Sequence, residues 1–210
     1  MSVHSIMGVP MTKPRTRAAR KKATRAKLLE ATYELFSEQG IVATRTLEVA
    51  TAADVAHGTI FSHFATREDL VAAVVAEYGG QIAKRLETLV REPATLREVL
   101  CAHLAGLSEQ EGFYSRLVME GPQLPTSAAD RLTDIQSTIA ICFSAAAERE
   151  KAEGRIRFGR VDLLFDTWLG LIHHYICNRK TFATGKQPIL IERGPELVDH
   201  FMELLSKEGS

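Results

Sequence analysis

The stretch "DVAHGTIFSHF", residues 54–64, holds two histidines, and histidine is the commonest metal ligand among side chains. His57 and His63 are six positions apart, so on a helix they are turned about 240° from each other and face different sides. No cysteine or pair of carboxylates completes a set with zinc spacing around them. We therefore expect no metal and no cofactor, and we interpret the stretch as a contact surface.

The cysteines also give no sign of a chemical site. Cys101, Cys142 and Cys177 are 41 and 35 positions apart, and no Cys-x-x-Cys pair occurs. An odd number of cysteines without a pattern is typical of reduced thiols, which predicts a cytoplasmic protein. No apolar run reaches about 18 residues, so we expect no membrane span.

Sequence motifs of catalysis are missing as well. The chain has no Gly-x-Ser-x-Gly, no His-Glu-x-x-His, no P-loop and no Gly-x-Gly-x-x-Gly. The acidic cluster between Glu148 and Glu153 is more simply a solvated helix face. We therefore do not expect an enzyme.

Charge is distributed unevenly along the chain. Residues 1–29 hold eight Lys or Arg and no acid. Because the whole chain holds 26 charged groups of each sign, the remaining residues carry eight more acidic than basic groups. A basic arm on an acidic body indicates a polyanionic partner, although a solvated tail is the plain alternative.

The elements that position these residues are predicted to be helices. Ala, Leu, Glu and Arg dominate, and hairpin signals such as Asn-Gly are missing, so the fold class is all-α. Capping boxes at Thr66–Asp69, Thr95–Glu98 and Ser127–Asp130 mark three helix starts. Apolar periodicity and breakers give about nine helices, at 23–39, 46–53, within 54–64, 66–90, 95–110, 113–120, 127–153, 161–182 and 196–207.

The opening stretch reads best as a short helix after a turn. Val55, Ile60 and Phe64 can face a core, which leaves a small, polar, outward side that suits phosphates and base edges. Gly58 costs about 1 kcal/mol in a helix, which indicates that another backbone comes close there. Asp54 is one of the few residues that can replace glycine in a turn with positive φ.

Residues 24–70, "TRAKLLEATYELFSEQGIVATRTLEVATAADVAHGTIFSHFATREDL", resemble the DNA-binding domain of the TetR family of bacterial transcriptional regulators. The match lies in Leu-Phe-x-x-x-Gly at the end of the first helix, Val-Ala in the second, Gly-Thr-Ile-Phe-x-His-Phe in the third, and Arg-Glu-Asp-Leu in the fourth. The chain departs from the family pattern at Asp54, which replaces a glycine, at Ala56, which replaces a capping serine, at His57, which replaces a lysine, and at Phe61, which replaces a tyrosine.

The resemblance implies three parts: a disordered basic arm at 1–22, a helix-turn-helix domain at 23–68, and a helical effector-binding and dimerisation domain at 69–208. It implies a ligand-responsive regulator, most simply a repressor, that binds a palindromic operator in double-stranded DNA as a homodimer. The residues implied to face DNA are Arg45, Thr46, His57, Gly58, Thr59, Phe61, Ser62, His63 and Arg67. The alternative is a non-specific nucleic-acid binder driven by the basic arm.

The sequence of the C-terminal two-thirds does not indicate which ligand the chain binds. Aromatic and polar side chains there are compatible with a mostly apolar small-molecule effector. The candidates for contacting it are His103, Phe113, Arg116, Phe143, Trp168, His173 and Tyr175. The helix "VDLLFDTWLGLIHHYIC" is apolar on more than one face, which indicates burial on both sides. With the last helix it predicts a dimer interface through Leu164, Leu171, Tyr175, Leu197, Phe201, Leu204 and Leu205, and the alternative is a helix in the core of a single chain.

Overall fold

The computed structural model describes residues 16–91 and 93–206. Three helices form an N-terminal head: α1 (Arg17–Gln39), α2 (Thr46–Ala52) and α3 (His57–Phe61). A continuous helical rod follows, made of α4 (Arg67–Val74), a π-helical segment (Val75–Gly79) and α5 (Gly80–Leu89). The rod joins the head to the rest of the chain.

A larger helical body makes up the rest of the described chain. Its helices are α6 (Leu96–Glu109), α7 (Glu111–Met119), α8 (Thr126–Ala152), α9 (Val161–Cys177), α10 (Arg179–Phe182) and α11 (Ile189–Leu205), with a 3₁₀ turn at Gly121–Gln123. Within the described residues no β-strand occurs, and β-pairing is limited to an isolated bridge between Ile156 and Ser206. The all-α prediction is confirmed, with one helix more than predicted when the rod is counted once.

Two of the predicted capping boxes are present in the structure. The Thr66 hydroxyl accepts from the Asp69 amide, and the Asp69 carboxylate accepts from the Thr66 amide, both at 3.0 Å. Thr95 and Glu98 repeat this exchange at the start of α6. Each pair satisfies two amides that a helix start leaves without partners.

The start of α1 differs from the prediction. The helix begins at Arg17, so residues 17–22, expected to belong to a disordered arm, are helical. The Thr16 hydroxyl accepts from the Ala19 amide at 3.2 Å, and the alanines, arginines and lysines that follow favour helix. The expected disorder of residues 1–15 lies outside the described residues.

Three later boundaries also differ. Helix α8 begins after Pro125 with no side-chain cap, so the predicted capping box at Ser127 does not form. Helix α9 ends at Cys177, and residues 179–182 form a separate turn of helix. Helix α11 begins at Ile189 and runs through Pro195, which was expected to precede it. The carboxylate of Glu111, distant in sequence, accepts from the first amides of α11 and stabilises this early start.

One apolar core extends from the head into the body. Leu28, Phe36 and Ile60 are buried in the head, while Trp168 and Phe201 are buried in the body. Helix α1 packs on α7, so the head contacts the body directly, and α4 of the rod packs on α8. This packing fixes the direction in which α3 faces outward.

The turn between α2 and α3 depends on Asp54, whose φ of 53° lies in the left-handed region. The amide of the next residue, Val55, donates to the Ala50 carbonyl at 3.0 Å and closes the end of α2. The prediction that Asp54 substitutes for a turn glycine is confirmed in its backbone geometry. Among L-residues, Asp and Asn adopt this conformation most readily.

Substitution of Asp54 tests how much its positive φ contributes to the stability of the chain. Asp54→Gly should keep or raise the free energy of unfolding, whereas Asp54→Ala should lower it by about 1 kcal/mol relative to glycine, because alanine is strained at positive φ. Urea unfolding followed by circular dichroism measures both. Equal stability of the two variants would contradict the importance of this conformation.

Candidate nucleic-acid interface and ligand cavity

Helix α3 presents the outward face that its sequence predicts. Ile60 is fully buried and Phe64 is buried beside it, which anchors the helix on the head. His57, Gly58, Phe61 and Ser62 are exposed, while Thr59 and His63 are half-buried. The exposed face is therefore small, polar and aromatic.

The starts of α2 and α3 lie side by side. The Thr46 hydroxyl is 3.0 Å from Nε2 of His57, and the His57 ring meets the Phe61 ring edge-on at 5.5 Å between centroids. Arg45 is exposed just before α2. The structure thus brings Thr46 and His57 together, and Arg45 precedes Thr46 in the chain.

Ala56 and Gly58 lie at the start of α3. Ala56 precedes the helix and provides no side-chain cap, so the first amides of α3 have no side-chain partner from Ala56. A Cβ placed on Gly58 would meet nothing within 4 Å. The close backbone approach expected at Gly58 does not occur within the chain, since this part of α3 opens to solvent.

His63 connects the end of α3 to the basic start of α1. Burial lowers the pKa of His63, and the neighbouring charges of Lys21 and Arg25 lower it further. The Arg25 guanidinium also lies 5.0 Å from the centre of the Phe64 ring. The sequence places Lys21 in the basic arm and Arg25 in the first helix, and it does not indicate that either lies beside His63. Lys21 lies on a helix because α1 begins at Arg17 and not at residue 23.

Arg67, expected to contact DNA phosphates, is engaged within the chain. Its guanidinium donates to the carbonyls of Ile41 and Thr44, at 2.5 and 3.4 Å. Both carbonyls belong to the turn between α1 and α2. Arg67 therefore holds this turn against the start of the rod through one amino group, and its contact with a phosphate stays a prediction.

The turn between α1 and α2 is also held from the side of α7. Arg116 of α7 and its C-cap residue Glu120 make these contacts. Arg116 donates to the Glu38 carbonyl at 2.7 Å, and the Glu120 carboxylate accepts from the Val42 amide at 2.7 Å. We call this pair of contacts the α7 clamp. It requires Gly40, because a Cβ there would overlap Oε1 of Glu120 and because φ at Gly40 is 101°.

The α7 clamp can be tested by a double-mutant cycle. Gly40→Ala should lower the free energy of unfolding by about 2 kcal/mol, through backbone strain and the displaced carboxylate. Glu120→Ala should cost about 1 kcal/mol by removing the acceptor for the Val42 amide. The double variant should cost less than the two single variants together, because the overlap is counted only once. Strict additivity in urea unfolding would exclude the overlap.

The predicted effector residues occupy a packed interior. His103, Phe113, Phe143 and Trp168 are buried, and the tilted rings of Trp168 and Phe201 lie 5.1 Å apart between centroids. The Trp168 indole donates to Nδ1 of His103 at 3.2 Å. These four side chains pack in the core and line neither of the cavities described below, so their contact with an effector stays a prediction.

The remaining predicted effector residues lie nearer the surface. Nε2 of His173 is 2.9 Å from the Tyr114 hydroxyl, and the Tyr175 ring packs on Phe182 at 4.7 Å. Arg116 belongs to the α7 clamp. Sequence periodicity could place these residues on the body but could not show which of them face one another.

His103 makes folding sensitive to acid. Burial lowers its pKa to about 3, with a smaller contribution from the charge of His173, so the folded chain holds a neutral ring. An unfolded histidine titrates near pH 6.5, so the stability that this neutral ring contributes is present above that pH and is lost as pH falls toward 3.

Between about pH 6 and pH 5, protonation of His103 in the unfolded chain should therefore lower the free energy of unfolding by up to about 1.4 kcal/mol per pH unit. His103→Gln keeps an acceptor for Trp168 and does not titrate, so its unfolding free energy should fall less over this interval. His200→Gln, at an exposed position on α11, is the matched control and should follow the parent chain. Parallel curves for all three proteins would refute this role of His103.

Two of the cavities in the described part of the chain lie beside the helices of the body. One of about 370 Å³ lies between α6 and α11 and is mostly apolar, with Leu104, Leu190 and Val198 among its walls. The other, of about 840 Å³, lies between the C-terminal half of α1, α7 and the α9–α10 junction, and we call it the α7–α10 cavity. Of the predicted effector residues, Arg116 lines the α7–α10 cavity.

The predicted dimer residues divide into two groups. Leu197, Phe201 and Leu205 are buried in the chain's own core, which corrects their assignment to a subunit interface. Helix α11 turns this face toward α6 and α9, because that face is its most apolar one. Leu164, Leu171 and Tyr175 are half-buried, and Leu204 is 60% exposed.

Within residues 16–91 and 93–206, no group of three or more His, Cys, Asp or Glu side chains could hold a metal ion. No helix in this part of the chain has the length and apolar character that crossing a bilayer demands.

A helix-turn-helix head carried on an all-helical body is the architecture of the described chain. Residues 28–74 match the model described as bacterial regulatory proteins, tetR family. Over these residues the chain is similar to that family.

The curated relatives match over part of the chain. An HTH-type transcriptional repressor of Mycobacterium tuberculosis is 33% identical over 79 residues, 38% of this chain and 42% of the relative. The fatty acid metabolism regulator protein of Bacillus subtilis is 31% identical over 80 residues, 38% of this chain and 41% of the relative. The aligned segment thus spans about two-fifths of these relatives.

Solved structures match over most of the chain. A TetR-family regulator from Agrobacterium tumefaciens has a TM-score of 0.72 at 16% identity, covering 89% of this chain and all of that one. FadR from Bacillus subtilis, solved with stearoyl-CoA, has a TM-score of 0.68 at 21% identity, covering 88% and 99%. At these identities the likeness shows the shared fold.

Proposed function

We propose that this protein is a sequence-specific DNA-binding regulator whose reading surface is α3 with the start of α2. The observation that carries the proposal is the outward face of α3, which is polar, lacks acidic groups and is anchored by Ile60. Helices of this kind enter the major groove and contact base edges with their N-terminal residues. His57, Gly58, Thr59, Phe61, Ser62 and His63 would face DNA there, with Arg45 and Thr46 beside them.

The basic surface of α1 supports the same proposal. Arg17, Arg20, Lys21, Lys22 and Arg25 are exposed on its first turns, and Lys21 and Arg25 lie close to His63. Cations next to a reading helix would bind phosphates and add affinity that does not depend on sequence. Arg67 would act indirectly in this arrangement, by holding the turn before α2.

A homodimer would bring two reading helices to one palindromic operator. A two-fold pair needs its α3 helices about 34–36 Å apart to reach successive major grooves. Leu163 and Leu204 expose apolar side chains on α9 and α11, and the half-buried Leu164, Leu171 and Tyr175 lie near this face. These two helices are the proposed subunit interface, in the cytoplasm where a bacterial regulator meets its DNA.

We further propose that the regulator is a ligand-responsive repressor. The M. tuberculosis relative is described as a repressor, and FadR was solved with a bound acyl-CoA. A ligand that binds one orientation of the head better than another would shift the population toward it. The rod and the α7 clamp are the contacts through which such a shift would pass.

Selection of bound fragments from random DNA tests the reading surface. We expect an enriched palindrome, and a dissociation constant for it that rises at least tenfold in His57→Ala with Ser62→Ala, since each lost base contact costs about 1–3 kcal/mol. Affinity for random DNA should change little. Ser127→Ala with Thr133→Ala, two exposed positions on α8, is the matched control and should bind as the parent does.

The second candidate function is non-specific nucleic-acid binding, which the cations of α1 favour. It predicts no enriched sequence and a steep loss of affinity with salt. Replacing Arg17, Arg20, Lys21 and Lys22 by glutamine should then remove most binding. If instead a palindrome is enriched and these replacements weaken all DNA sequences equally, the cations serve as phosphate contacts for a specific reader.

A further inference from the structure

The α7–α10 cavity has the size of a small-molecule site and lies where the body meets the head. Its volume is about 840 Å³, within the range of about 300–1,000 Å³ that ligand sites occupy. Tyr33 and Ser37 of α1 form part of its wall, and Arg116 and Met119 of α7 form another. A molecule in this cavity would therefore touch both the head and the body.

Charged side chains around the cavity give it a cationic character. Four basic residues line it, two more than the acidic ones; the basic side chains are Arg116, Arg179, Lys180 and Lys186, and the acidic ones are Glu109 and Glu111. Like charges gathered in a cleft with low-dielectric walls raise the local concentration of counter-ions. The cavity is thus suited to an anion.

Both acidic residues already have partners. Glu109 pairs with Arg85 at 2.9 Å. Glu111 is 7% exposed, and its two oxygens accept from the amides of Ile189 and Leu190 at the start of α11. The two carboxylates at this cavity are therefore held by contacts within the chain.

The basic residues differ in how far they are engaged. Arg179 donates to the carbonyls of Lys186 and Gln187. Within the part of the chain that the structure describes, no carboxylate lies within ion-pair distance of the Lys180 or Lys186 ammonium. Arg116 uses one amino group on the Glu38 carbonyl, and a guanidinium has five N–H donors, so several remain for a ligand.

Apolar groups share the same walls. Ile176 is buried, Met119 is 46% exposed, and Pro188 and the Tyr33 ring add further carbon surface. Inorganic anions would leave this surface in contact with water. An organic molecule with one anionic end would cover the apolar groups and meet the cations together.

We propose that the α7–α10 cavity binds an organic anion, with a phosphate or carboxylate held by Lys180 and Lys186 and an apolar portion beside Met119 and Ile176. Arg116 lines the same cavity and belongs to the α7 clamp. An anion that binds its guanidinium would therefore compete with the hydrogen bond by which Arg116 holds the end of α1. The regulatory meaning of this site rests on the proposed function, whereas binding itself does not.

Calorimetric titration of the full chain, without DNA, tests the site with three probes of eight carbons each: octyl phosphate, octanoate and octanol. We expect one anionic probe or both to bind one per chain, at least about tenfold more tightly than octanol, because only the anions meet the cations. A preference for octyl phosphate identifies the group as a phosphate, and a preference for octanoate identifies a carboxylate.

Lys180→Gln with Lys186→Gln should weaken the preferred anion by about tenfold and leave octanol unchanged, since each lost charge contributes modestly at a solvated site. Lys84→Gln with Arg131→Gln removes two exposed cations that do not line this cavity and should change neither probe. Circular dichroism confirms that the variants are folded.

The proposal is overturned if neither anion binds, if octanol binds as tightly as they do, or if the lysine variant binds the anions as the parent chain does. Because DNA takes no part in the titration, these outcomes leave the selection experiment on α3 untouched. Failure to enrich a DNA sequence, in turn, leaves the anion site as measured.

Discussion

The contact between α7 and the turn that ends α1 determines how the head sits on the body. Arg116 and Glu120 reach the Glu38 carbonyl and the Val42 amide, two backbone groups at a helix end that need partners. Arg67 holds the Ile41 carbonyl of the same turn from the side of the rod. A shift of α7 or of the rod would therefore move α1, and with it the packed α2–α3 pair.

The interior of the body is organised by aromatic packing. Phe201 contacts both Phe143 and Trp168, and His103 accepts the indole N–H of Trp168 inside this cluster. A buried indole and imidazole that pair with each other satisfy their polar atoms without water. This packing fills the interior between α8, α9 and α11, while open volume remains between α6 and α11 and toward α1 and α10.

Part of the fold and of the reading surface could be predicted from local sequence. The capping boxes at Thr66 and Thr95, the turn residue Asp54 and the outward face of α3 follow from patterns a few residues long. The start of α11 and the role of Arg67 could not, because each depends on a partner distant in the chain. The buried face of α11 likewise looked like an interface, since periodicity shows that a face is apolar and not what covers it.

The sequence by itself determined the helical fold class, the helix-turn-helix head and the side of α3 that faces outward, because each depends on residues within one or two turns of helix. Only the tertiary structure decided that Trp168 and Phe201 belong to one core, that Arg116 clasps α1, and that a cationic cavity lies beside it. The physical reason is that these contacts join side chains that no periodicity relates. Their geometry follows from how the helices pack on one another.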